Sequence, residues 1–243
     1  MANHKFFKLP YRQNHYSCVM ASYAFALEFF IRQKNEGIEL DESFVYDFFR
    51  FYCLQMINYW HSSPALMSTI EQLSNEGRWK DIYTYYFNPS LVNNLSKDDL
   101  ETLAFNILHY QCQELDKKVA QKESSGYDNV KFIHEQLDAN TTIGNVSFPN
   151  NFEIIDLCCG AECAPEKTKL KKELESSACC VALVLYAPRN ASFGNYHSVL
   201  ICYDMGYFFI RDSGEDSISR ETFDGQSFQD IKVLEYIVFN LKQ

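Results

Sequence analysis

No uninterrupted apolar run of about 20 residues occurs in the 243-residue chain, so no membrane-spanning helix is expected. Positive charge is in short supply. Lys and Arg number 22 against 32 Asp and Glu, a net charge of −10. A field of that sign disfavours nucleic acid and anionic membrane as partners. Charged residues of both signs reach only 22% against 47% hydrophobic, which argues against disorder as a description of the whole chain. The first ten residues lack the apolar stretch of a secretory signal. The expected location is therefore cytoplasmic, or a host cell reached without a cleavable signal. An even cysteine count is also lacking. Nine cysteines cannot pair completely within one chain, so mostly free thiols are expected. What is abundant is aromatic: 20 Phe and 16 Tyr imply a well-filled interior.

The pattern along the chain divides in two. Residues 17–33 are apolar on nearly every face, with neither Gly nor Pro, and predict a buried helix with Ser17 as its N-cap. Residues 43–60, 64–76, 97–122 and 128–138 also read as helices. After residue 140 the character changes. Phe152–Leu157 predicts a strand, Pro165–Ser176 a Lys/Glu-rich helix and Ala178–Tyr186 a central buried strand. Tyr196–Tyr203 and Tyr207–Asp212 predict a hairpin about Asp204-Met205-Gly206, and Val233–Leu241 a last strand. The expected fold is α+β in a single domain: residues 1–140 a mainly helical lobe, residues 141–243 a mainly β lobe.

Cys18 stands at the start of the buried helix, where amide donors and a partial positive charge favour a thiolate. His197 opens one strand of the hairpin and Asp212 closes the other. A turn centred between Asp204 and Met205 places these two directly opposite, whereas one centred on Met205 places Ser213 opposite His197. Val199 and Ile201 share the face of His197 and extend it as an apolar patch. Gln13, five residues before Cys18, is positioned to donate its side-chain amide to an oxyanion beside the Cys18 N–H. Cys18, His197 and Asp212 thus offer a nucleophile, a base and an orienting carboxylate.

These segments, residues 13–21, 196–204 and 206–213, resemble the papain-like cysteine peptidase superfamily. Within it they look most similar to the bacteriocin-processing double-glycine peptidases and bacterial effector cysteine proteases. The resemblance implies a helical N-terminal half, an antiparallel C-terminal sheet and a catalytic set falling on Cys18, His197, Asp212 and Gln13. It implies a thiol hydrolase of peptide or isopeptide bonds acting on a protein or peptide substrate, with no cofactor. Related chemistry on the same groups, glutamine deamidation or transglutaminase-like acyl transfer, and an inactive papain-like binding module are the alternatives. Residues 40–140 read as a helical insert that is not matched to those families.

The remaining candidates have plainer readings. His15 lies on a leader expected to be flexible, and His61, His109 and His134 read as surface or packing residues. Cys158, Cys159 and Cys163 invite a zinc site. Adjacent cysteines share one tetrahedral ion poorly, however, and no His is near, so no metal is expected. Oligomeric state and substrate identity are not legible.

Overall fold

The computed structural model describes residues 7–13, 17–35, 37–77, 79–119, 121, 124–138, 140–148, 152–159, 166–177, 179–188, 196–215, 218–221 and 231–242. The helical half comprises α1 (Cys18–Lys34), α2 (Ser43–Ser62), α3 (Pro64–Asn75), α4 (Lys80–Phe87), α5 (Lys97–Tyr110), α6 (Asp116–Val119) and α7 (Gly126–Gln136). Two short strands follow, β1 (Thr142–Ile143) and β2 (Val146–Ser147), then β3 (Phe152–Cys158) and α8 (Lys167–Ser176). The chain ends in β4 (Val181–Pro188), β5 (His197–Asp204), β6 (Tyr207–Asp212), β7 (Ile218–Glu221) and β8 (Ile231–Leu241). The main sheet is antiparallel throughout, in the order β3-β8-β4-β5-β6-β7. The α+β order expected from the sequence therefore holds: helices first, then an antiparallel sheet.

Helix α1 is buried continuously from Cys18 to Arg32. It lies against β4, β5 and β6 on one side and against α2 and α7 on others, which is why its sequence shows no polar stripe. Strand alternation divides the sheet between two clusters. Leu183, Leu200, Cys202, Ile237 and Phe239 face the helical half. Ala182, Val184, Val199, Ile201 and Val238 face α8, which seats Leu170 and Leu174 on them. The apolar continuation through Val199 and Ile201 exists, but it is sealed beneath α8 and offers no surface to a substrate.

Two departures from the sequence pattern have local causes. The helix expected over 97–122 is interrupted by a π turn at Gln111–Leu115. There the buried Gln111 accepts a hydrogen bond from Trp60 Nε1 at 2.6 Å and donates to Asp116 Oδ1 at 2.7 Å. The leader expected to be flexible is anchored over residues 7–13. Phe7, Leu9 and Tyr11 alternate inward, and the Lys8 N–H donates to Glu28 Oε1 at 2.9 Å.

The β5–β6 turn decides how the hairpin's side chains meet. Asp204 pairs with Tyr207, leaving a two-residue loop of Met205 (φ 49°) and Gly206 (φ 86°). Two successive positive φ values match the right-handed twist of a tight hairpin. Gly206→Ala meets no neighbouring atom, so its cost is conformational alone. A loss of about 1 kcal/mol, read as a lower urea midpoint with unchanged slope, is expected.

Candidate active site

Cys18 is the first residue of α1, buried but at the edge of exposure at 9%. Ser17 precedes it as N-cap in position but not in function. Its φ of −87° and ψ of 14° lie outside the extended region usual for a cap, and its side chain caps no helix N–H. Instead Ser17 Oγ donates to Glu101 Oε1 of α5 at 2.6 Å, with the Tyr11 hydroxyl 3.3 Å away. This corrects the cap read from sequence: a buried carboxylate takes the hydroxyl that would otherwise turn back onto the helix. A residue of α5 therefore holds the segment immediately before the thiol.

His197 opens β5 and Asp212 closes β6, and their side chains meet at 2.6 Å, Nε2 to Oδ1. Neither register considered from sequence is adopted. Val199, not His197, stands opposite Asp212, so the imidazole reaches its carboxylate diagonally along one face. The two-residue loop shifts the offset by two residues from the register that set His197 opposite Asp212, which keeps its parity and so keeps the pair on one face. Asp212 Oδ1 also accepts the Gly214 N–H at 2.7 Å, which holds the carboxylate within its own turn.

The Cys18 thiol also acts on the titration of the ring. Asp212 occupies Nε2, so Nδ1 is the ring nitrogen it leaves open to another partner. Burial works to lower the His197 pKa, but the Asp212 carboxylate and the Cys18 thiol outweigh it and raise the value to about 10. Burial likewise works to raise Asp212. Its bond to His197, with help from the Gly214 N–H and the Arg211 guanidinium, holds it below the usual carboxylate value. Tyr186, paired with His197 across β4 and β5, sets its ring edge-on to the imidazole with centroids 5.8 Å apart. It forms an aromatic wall on one side of the base.

Gln13 ends the anchored leader. Its N–H donates to the Ser213 carbonyl at 2.8 Å, and its Oε1 accepts from Ser213 Oγ at 2.7 Å. The Nε2 group is then the donor end of the amide. Arg211 completes the junction. Its Nη2 donates to the carbonyls of Leu9 and Tyr11 at 3.0 and 2.9 Å, and the guanidinium lies over the Phe25 ring at 4.6 Å. Cys18, His197, Asp212 and Gln13 are all tied to this one junction of α1, β5, β6 and the leader.

The other sequence candidates lie elsewhere. His134 is a packing residue: its Nδ1 bonds the Tyr23 hydroxyl at 2.9 Å, and burial lowers its pKa to about 4. His61 and His109 are exposed helical residues. His15 and Cys163 lie outside the described residues. Cys158 is disulfide-bonded, an exception to the free thiols expected, whereas Cys18, Cys53, Cys112, Cys159, Cys179, Cys180 and Cys202 are free. Among the described residues no group of three His, Cys, Asp or Glu side chains is arranged to hold a metal ion, and no helix is long and apolar enough to cross a membrane.

Glu101, Tyr186 and Arg211 are neighbours of the site that sequence reasoning missed, and Ser213 entered there only as the residue opposite His197 in one register. Only Ser213 had a signal, its place in the Asp-Ser-Gly turn after Asp212. Glu101 lies 84 residues from Ser17, in a helix whose pattern shows only a buried face. Compared with protein-family models, curated proteins and solved structures, the chain matches none of them.

Proposed function

We propose that the protein is a cysteine-nucleophile hydrolase of papain-like architecture that cleaves a peptide or isopeptide amide in a protein or peptide substrate. The observation that carries this reading is the His197 imidazole bound to the Asp212 carboxylate at 2.6 Å, with the Cys18 thiol among the groups that raise its pKa. The imidazolium favoured by that setting stabilises a thiolate partner. The Cys18 thiolate attacks the amide carbonyl, a C–S bond forms and the carbonyl electron pair moves onto oxygen. The Cys18 N–H and Gln13 Nε2 receive that oxyanion. His197 gives its proton to the leaving nitrogen as the C–N bond breaks, leaving a thioester on Cys18. Water then attacks the thioester while His197 accepts its proton. The C–S bond breaks, freeing the acid and restoring the thiolate. Asp212 keeps the ring oriented and supports its charge through both steps.

Selective alkylation tests this reading. Burial raises the thiol pKa of Cys112 to about 12 and of Cys159 to about 11, and pushes Cys53, Cys180 and Cys202 upward as well. Substoichiometric iodoacetamide at neutral pH, followed by peptide mapping, is expected to modify Cys18 first. Preferential modification of another cysteine, with Cys18 left untouched, overturns the assignment.

A further inference from the structure

We infer that Ser213 is a positioning residue that sets the orientation of the Gln13 amide, so that one turn aligns both the base and the oxyanion donor. The inference rests on the cysteine-hydrolase reading of the site. Three consecutive residues make the connections. Arg211 binds the leader carbonyls of Leu9 and Tyr11, Asp212 binds His197, and Ser213 binds Gln13. Ser213 is fully buried, and its hydroxyl donates to Gln13 Oε1 while its carbonyl accepts the Gln13 N–H. A glutamine amide can present either its oxygen or its nitrogen to a given point. With Oε1 occupied by the buried hydroxyl, Nε2 is the end left to donate. Without Ser213 Oγ the amide can rotate, and the oxygen end would repel a developing oxyanion. The Gln13–Ser213 backbone bond survives the loss of the hydroxyl, so the leader keeps its place while the amide loses its orientation.

Acylation of Cys18 by p-nitrophenyl acetate, set against its alkylation by iodoacetamide, isolates this effect. In acylation the thiolate attacks the ester carbonyl, a thioester forms and the C–O bond breaks to release p-nitrophenolate. That route passes through an oxyanion, whereas displacement of iodide from iodoacetamide does not. Gln13→Ala is expected to slow acylation by roughly 100-fold, and Ser213→Ala by about 10-fold, with alkylation changed by less than about 2-fold in both. In the double variant the Ser213 substitution is expected to add nothing to the loss from Gln13→Ala, because Ser213 acts through Gln13. Gln13→Glu keeps an acceptor for Ser213 Oγ but has no Nε2 donor, and is expected to acylate as slowly as Gln13→Ala. Acylation by Ser213→Ala at the unaltered rate, or losses that multiply in the double variant, overturns the positioning role alone. Equal slowing of acylation and alkylation in Ser213→Ala marks a general structural defect and also overturns it. Failure of the unaltered chain to form any Cys18 thioester overturns the hydrolase reading and this inference with it.

Discussion

Cys18→Ala is expected to reduce amide cleavage by a factor of about 10⁴ or more, while the fold is retained. The substitution removes the proposed nucleophile, the thiol that acts on the His197 titration. Alanine has the highest helix propensity, and Cys18, 9% exposed, is at the outer edge of the core. Its urea midpoint should therefore stay close to that of the unaltered chain. Cys53→Ala and Cys202→Ala supply the contrast. Both thiols are buried in the core and act as small hydrophobes, so their loss is expected to cost about 1 kcal/mol each and to leave cleavage intact. Cleavage products can be followed by mass spectrometry on a peptide library, with denaturation measured on the same preparations. Undiminished cleavage by Cys18→Ala would sink the proposed mechanism.

His197→Ala is expected to lower kcat/KM by roughly 10³ to 10⁴, because it removes both the proton acceptor and the proton donor. Asp212→Asn is more informative, since it keeps an oxygen for Nε2 and removes the charge. The unaltered enzyme should hold its kcat/KM on the alkaline side until the pH nears the His197 value of about 10. In Asp212→Asn that alkaline limb should move down toward the ordinary imidazole value of 6.5. An alkaline limb that stays in place after the charge is removed would show that another group controls it. The stability consequence follows from the same shifts. The raised His197 contributes fully below pH 6.5, and its contribution is lost as pH rises through about 10. The depressed Asp212 contributes fully above pH 3.8, and its contribution is lost as pH falls through its lowered value. The pair therefore supports the fold most between pH 3.8 and 6.5, and part of that support fades toward pH 10.

Helices α1, α2, α3 and α7 and strands β3, β5, β6 and β8 were legible from hydrophobic pattern, because each buries one face or nearly all of itself. Helix α4 was not. Its sequence, Lys-Asp-Ile-Tyr-Thr-Tyr-Tyr-Phe, is rich in β-branched and aromatic residues of modest helix propensity. It becomes a helix by burying Ile82 and Tyr86 against its neighbours. The short strands β1, β2 and β7 carry too few residues to show a period of two.

Sequence by itself determined the position of the hairpin turn, the position of Cys18 at a helix start and the order of helices before sheet. Each is a local pattern of burial or turn chemistry. Only the tertiary structure decided the offset of the hairpin, which placed His197 diagonal to Asp212 and not opposite it. It alone turned Ser17 away from α1 toward Glu101, and gathered Arg211, Asp212 and Ser213 onto the leader and His197. Hydrogen bonds spanning 84 and 200 residues leave no periodic trace along a chain, because they depend on where the packed core brings polar groups to rest.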